Sequence, residues 1–159
     1  MTGEAARIDF GVLSSSMHNA WIRYTCGRIK SDLRLSAAIV YNNFPWPDFE
    51  TIAKDPEGRL KAAIEAAAQG VLDARAKFPG ASLADLYDPL TMPPELAKAH
   101  QKLDAAVDKA YERSGGKKSY KSDAERVAFL FELYQRYTSL LPGAALKGKR
   151  RAGAQAARA

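Results

Sequence analysis

Apolar side chains recur every three or four residues at Phe10, Leu13, Met17, Trp21 and Tyr24. That spacing marks one helical face and predicts a helix from Phe10 to Arg28, with Gly27 near its stop. The period then changes. Leu33 to Tyr41 gathers β-branched and aromatic residues toward its end, which predicts a strand. Asn42-Asn43 and the triplet Pro45-Trp46-Pro47 interrupt regular structure, because proline holds φ and has no N–H to donate. They read as a rigid hinge between two modules.

Helical spacing returns after Asp55-Pro56-Glu57, a start signal that combines a capping carboxylate, a proline at the first position and negative charge at the positive end of the helix dipole. Leu60, Ile64, Ala67, Val71 and Ala74 form its stripe, and Phe78-Pro79-Gly80 ends it. Ser82 with Asp85 predicts a short capping-box turn holding Leu83, Leu86 and Tyr87. A further helix after Met92-Pro93-Pro94 carries Leu96, His100, Leu103, Val107 and Ala110 or Tyr111. Past the polar loop Ser114 to Lys118, Ser122 and Glu125 predict a second capping box. It opens a helix through Val127, Leu130, Phe131, Tyr134 and Leu141 to Pro142-Gly143. Phe129, Leu133 and Tyr137 add a second apolar face, so this helix is expected to be the most buried.

Three antiparallel helices with short connections make a bundle. The fold class expected is therefore mainly α, a bundle of three main helices preceded by a helix and a short strand. A single strand leaves its backbone donors and acceptors unpaired. A partner chain, or a preceding part of the polypeptide, is expected to complete it.

Composition narrows the classes. With 159 residues, 47% hydrophobic and 26% charged, there is room for one domain with a modest core. No run approaches the roughly 18 apolar residues that a membrane span needs. Met1 to Phe10 carries Glu4, Arg7 and Asp9 and does not read as a signal peptide. One cysteine, Cys26, excludes an internal disulfide framework and fits a reducing cytoplasm, and with only His18 and His100 beside it no Cys/His zinc site is expected. The net charge of +6 is uneven: residues 1–47 carry +2, residues 48–132 carry −2, and residues 133–159 carry six cations and no acid. Such a tail suits phosphate binding or a disordered, solubilising end.

The candidate chemistry is sparse. Gly115-Gly116-Lys117 lacks the spacing of a nucleotide-binding loop, and no strand precedes it. His100 sits among Leu96, Leu103 and Val107 and reads as a packed histidine. His18 has no acid partner nearby in sequence, and Cys26 reads as a small, partly buried residue. Asn42-Asn43-Phe44-Pro45-Trp46-Pro47 invites comparison with the Asn/Asp-Pro-Pro-Tyr/Phe loop of amino-methylating enzymes. Its order differs and no Gly-rich cofactor loop precedes it, so it is not read as catalytic. The basic stretch Arg23, Arg28, Lys30 and Arg34, with Ser31 and Asp32 interleaved, is better suited to phosphate and base-edge contacts. An ordinary solvated turn is its competing explanation.

Longer motifs carry a resemblance. Ser16-Met17-His18-Asn19-Ala20-Trp21, Gly27 to Ser36 (GRIKSDLRLS) and Ile39 to Pro47 (IVYNNFPWP) resemble the end of the target-recognition domain of MmeI-like adenine-N6 DNA methyltransferases, many of them fused to a nuclease. Ala81 to Pro93 (ASLADLYDPLTMP), Ala99-His100, Leu103-Asp104, Val107-Asp108, Ala110-Tyr111 and Ala124 to Tyr134 (AERVAFLFELY) resemble the family's C-terminal helical domain. The likeness covers residues 10–141 and leaves out the basic tail. It implies three parts: residues 1–47 as the end of a truncated recognition domain, 48–142 as the C-terminal helical domain, and 143–159 as a disordered tail.

The resemblance also implies a division of labour. An upstream methyltransferase domain would bind S-adenosylmethionine and flip an adenine out of the duplex, while the recognition domain reads sequence and the C-terminal helices brace it. The cofactor, catalytic Asn/Asp-Pro-Pro and nuclease motifs are missing from these 159 residues. No catalytic, cofactor-binding or metal-binding residue is therefore expected here, and alone the chain should neither methylate nor cleave. The expected partners are double-stranded DNA and that upstream domain. Arg28, Lys30, Ser31, Asp32 and Arg34 are the expected DNA contacts, Arg34 foremost as a base reader or phosphate clamp. Two other readings compete: a helical protein-docking module without DNA contact, and a small independent enzyme, which would need paired acid–base groups that are not evident.

Overall fold

The computed structural model describes residues 3–29, 32–34, 40–48 and 57–139. Among them the elements run α1 (Gly3–Leu13), α2 (Ser16–Thr25), β1 (Gly27–Ile29), β2 (Asp32–Arg34), α3 (Arg59–Ala76), α4 (Leu83–Leu86), α5 (Pro94–Arg113) and α6 (Asp123–Thr138). The architecture is mainly helical, as the periodicity predicts. Leu141, Pro142-Gly143 and the tail lie outside the described residues.

The helix expected over Phe10 to Arg28 is two helices. Ser14, Ser15 and Ser16 are consecutive, and short hydroxyls offer the backbone an alternative to the helical ladder. Ser15 is fully buried, its hydroxyl donates to the Val12 carbonyl at 2.6 Å, and it accepts from the His18 N–H as the cap of α2. The Asp104 carboxylate on α5 receives both the Ser16 N–H and the Ser16 hydroxyl at 2.7 Å. The apolar spacing survives the break because both helices face one core. Met17 and Trp21 are buried and Phe10 and Leu13 half-buried, whereas Tyr24 at the far end is 59% exposed.

The strand differs too. β2 is only Asp32–Arg34, and it pairs antiparallel with β1, with Gly27 opposite Arg34, Arg28 opposite Leu33 and Ile29 opposite Asp32. The sequence hides this partner, because Gly27 and Arg28 read as the end of the preceding helix and leave Ile29 with no strand pattern of its own. Val40 and Tyr41, expected in the strand, form a helical turn; residues 35–39 lie outside the described residues.

The Asp55-Pro56 start signal also lies outside the described residues. α3 begins at Arg59, after Gly58 in a left-handed conformation (φ 64°) that a side chain rarely adopts. Leu60, Ile64, Ala68, Val71 and Ala74 are its buried stripe, with Ala67 packed at the edge. Ser82 and Asp85 form the reciprocal capping box expected of α4. At α6 only half a box forms. Ser122 accepts from the Glu125 N–H, but the Glu125 carboxylate takes the Lys121 N–H at 3.0 Å.

α3 and α5 share the most extensive interface, α1 lies on α3, and α2 lies on α6. α5, not α6, is the most buried: six of its residues are buried against four in α6, where Phe131 and Tyr137 are each 43% exposed. Gly11 permits the close approach of α1. A Cβ there would meet Ile64 Cγ2 at 2.8 Å and Ala68 Cβ at 3.2 Å. One apolar cluster joins Val12, Met17 and Trp21 to Ile64, Leu103 and Leu130, so residues before and after position 48 build a common core.

Candidate nucleic-acid interface

The hairpin β1–β2 gathers three of the five expected contact residues along one short ribbon. Arg28 lies on β1, and Asp32 and Arg34 lie on β2. Lys30 and Ser31 lie outside the described residues.

The described residues before and after the ribbon meet at Trp21. Its indole is 2% exposed and lies 5.2 Å from the Phe131 ring and 6.2 Å from the rings of Phe44 and Tyr134. A buried indole N–H needs an acceptor, and it finds the Val40 carbonyl at 3.0 Å. The hairpin leaves α2 at Cys26, five residues after Trp21, and the chain returns to the same Trp21 at Val40. Arg23 on α2 pairs with Asp123 on α6 at 2.6 Å. Both side chains are partly exposed, so this pair adds little.

The segment after Val40 is not a hinge. Phe44, Pro45 and Pro47 are buried, and Phe44 meets His18, Trp21 and Trp46 edge-on. A non-repetitive, proline-rich stretch has carbonyls that no ladder satisfies. Tyr111 of α5 donates its hydroxyl to the Pro45 carbonyl at 2.9 Å, and Tyr137 of α6 donates to the Trp46 carbonyl at 3.1 Å. Burial raises both phenols, Tyr111 well above its ordinary value, so both remain donors. The segment is a wedge held by three aromatic donors. Sequence reasoning placed Trp21, Tyr111 and Tyr137 on apolar faces and missed this role. For Trp21 and Tyr111 the available signal was that a buried Trp or Tyr must spend its polar tip on something; Tyr137, 43% exposed, carried no such signal.

The other titratable groups serve packing. His18 is buried, its Nδ1 lies 3.0 Å from the Leu13 carbonyl and so carries the proton, and burial lowers its pKa. Arg75 donates to the Tyr87 hydroxyl at 2.9 Å, which lies 2.6 Å from His100 Nε2. His100 is half-buried and its pKa is lowered, mainly by burial. Cys26 is half-buried against the core. Among the described residues no three His, Cys, Asp or Glu side chains converge as a metal-ligand set, and no helix is long and apolar enough to cross a membrane. A depression lined by Arg7, Ala62, Glu65, Ala66 and Gln69 offers an ion pair and methyl groups but no aromatic wall for an adenine. Those residues do not fit S-adenosylmethionine.

Comparison with known proteins points to one family. The family described as the MmeI C-terminal domain matches residues 57–142, and the MmeI target recognition domain matches residues 1–48. DNA methyltransferase A of Bacillus subtilis (strain 168) is 44% identical over 128 residues, which is 80% of this chain and 13% of that protein. The Type IIL restriction-modification enzyme MmeI, solved in complex with DNA, is similar with a TM-score of 0.74 and 49% identity, over 84% of this chain and 16% of MmeI. A helical scaffold that carries a short ribbon, matched by both domain descriptions, defines the class. The chain belongs to the MmeI family and carries its target recognition and C-terminal domain segments.

Proposed function

We propose that this chain contributes DNA recognition to an MmeI-like adenine-N6 methyltransferase, without supplying catalytic groups itself. The observation that carries the reading is the 49% identity and shared fold with MmeI, which was solved in complex with DNA. The backbone supports it in a second way: a two-stranded ribbon is among the shapes the major groove admits, and β1–β2 is a short antiparallel ribbon with Arg28 on one strand and Arg34 on the other. Lys30, Ser31 and Asp32 complete the contact set. Arg34 serves as base reader or phosphate clamp, and α5 and α6 hold the Pro45 and Trp46 carbonyls further along the chain. S-adenosylmethionine belongs to the upstream methyltransferase domain, and a cytoplasmic setting suits the single Cys26.

Titration of labelled duplex DNA with the full chain and its Arg34→Ala variant, at low and moderate salt, tests this. Phosphate contacts release counterions, and each contact contributes roughly 0.9 to the slope of log K against log salt. Salt-sensitive binding that Arg34→Ala weakens supports the reading. Undiminished binding by the variant removes Arg34 from the interface. Absence of binding by the wild type favours a docking module.

A further inference from the structure

We infer that the outer face of α5 is a second nucleic-acid surface, a stripe of four cations that holds the phosphates of duplex DNA without reading its bases. The inference takes its partner from the DNA-recognition reading above and its geometry from α5 alone. As a sequence α5 is electrically neutral: Lys98, Lys102, Lys109 and Arg113 balance Glu95, Asp104, Asp108 and Glu112. The fold separates the two signs. At 3.6 residues per turn the four cations fall within about 60° of arc, and all four are exposed. The opposite face is core, with Leu96, Leu103, Val107 and Tyr111 fully buried. Most of the acids are occupied elsewhere. Asp104 accepts from the Ser16 N–H and hydroxyl, Asp108 is buried beside Arg126, and Glu95 faces Lys77 at 3.4 Å. Glu112 stands exposed on the flank of the stripe. Among the described residues none of the four cations has an acid within ion-pair distance. α3 differs: it presents Ala62, Ala66, Gln69 and Asp73 to solvent.

Charge and length both suit a phosphate backbone. From Lys98 to Arg113 the stripe runs about 22 Å, the length of roughly six base-pair steps. Lysine is a point charge on a flexible stem, fit to position a duplex through its phosphates rather than to read base edges. A lipid surface would need an apolar face to insert, and α5 spends its own in the core. MmeI, 49% identical, was solved in complex with DNA, which favours DNA over an acidic protein as the complementary partner. Contacts of this kind use side chains only and leave the α5 N–H groups in their helical bonds. Amide exchange over α5 is therefore unchanged by them, and the salt dependence of binding is what reports them.

The test compares the full chain with a stripe variant that combines Lys98→Gln, Lys102→Gln, Lys109→Gln and Arg113→Gln. Glutamine keeps helix propensity and the sites are exposed, so the fold is retained; a thermal melt checks this. The charge-matched control combines Arg59→Gln, Lys61→Gln, Lys117→Gln and Lys121→Gln, where Arg59 already faces Glu57 and Lys117 faces Glu125. Binding to labelled duplex of random sequence is measured from low to moderate salt. Each lost phosphate contact lowers the slope of log K against log salt by roughly 0.9. The stripe variant should therefore lose roughly 2 to 4 of slope and the control less than about 1. A stripe variant with the wild-type slope, or with no greater loss than the control, overturns the inference. Arg34→Ala, measured alongside, keeps the two claims apart. Weakening by Arg34→Ala with the stripe variant unchanged leaves the DNA reading standing without the stripe. The reverse result removes Arg34 from the interface and keeps the stripe. A wild type that binds no duplex overturns both.

Discussion

The indole N–H of Trp21 meets the carbonyl of Val40 at 3.0 Å, across nineteen residues of chain. This bond closes the loop that carries the ribbon, and the same indole packs on Phe131 and Tyr134 of α6. Trp21 is thus a core residue and the point where the recognition segment is tied to the C-terminal helices. Trp21→Ala should cost about 3–5 kcal/mol, since it removes a large buried ring and orphans a buried carbonyl. Urea denaturation checks it, and a loss under about 1 kcal/mol, the range of an exposed site, would contradict the packing described.

Ser15 is fully buried, caps α2 and returns its hydroxyl to Val12. Ser15→Ala should destabilise by about 1–2 kcal/mol, the range for a lost cap. Ser15→Asp keeps an acceptor but buries a charge and loses the donor to Val12, so it should not restore stability. Thermal melts of the two variants distinguish a cap from a mere turn.

Gly11→Ala opposes two effects. An alanine gains about 0.5–1 kcal/mol of helix propensity, but its Cβ would press on Ile64 Cγ2 at 2.8 Å and Leu103 Cδ1 at 3.3 Å. Overpacking of this kind costs about 1–3 kcal/mol. Net destabilisation is expected, and a variant more stable than wild type would mean that α1 does not sit this close to α3.

Asp108 of α5 is 6% exposed and lies 3.7 Å from Arg126 on α6. Burial pushes its carboxyl up to about 6, Arg126 opposes the rise, and Asp104 adds to it. The folded chain holds this proton more tightly than the unfolded chain does. Its contribution to stability is therefore present at acid pH and is lost as pH rises from the ordinary 3.8 through about 6. The swing is on the order of 3 kcal/mol. Asp108→Asn lacks it, so the variant should gain on wild type by that order between about pH 4 and about pH 7. Parallel denaturation curves across that window give the answer, and a constant difference would place Asp108 in water.

Much of the scaffold was legible in the sequence because local signals and burial agree there. The stripe of α3, the Ser82–Asp85 box and the apolar spacing of α5 each follow from three- and four-residue periodicity and from cap chemistry. Periodicity failed where it was blind. It ran across Ser14-Ser15 because α1 and α2 face one core on both sides of the break. It could not see that Gly27–Ile29 pairs with Asp32–Arg34, because three-residue strands hold too few positions to show alternation. It also ranked α6 above α5, since Phe131 and Tyr137 look like core residues in sequence while nearly half of each meets solvent. The wedge at Phe44 to Pro47 was legible as a break in structure, but not as a buried one. Its partners, Tyr111 and Tyr137, lie 66 and 91 residues away.

That the β1–β2 ribbon reads DNA is tested most directly by amide hydrogen exchange on the full chain, with and without duplex DNA at low salt. Added protection concentrated in residues 27–34, with α3 and α5 unchanged, is the predicted result. Protection confined to the cations after residue 143, or spread over α3 and α5 with the ribbon untouched, would contradict it.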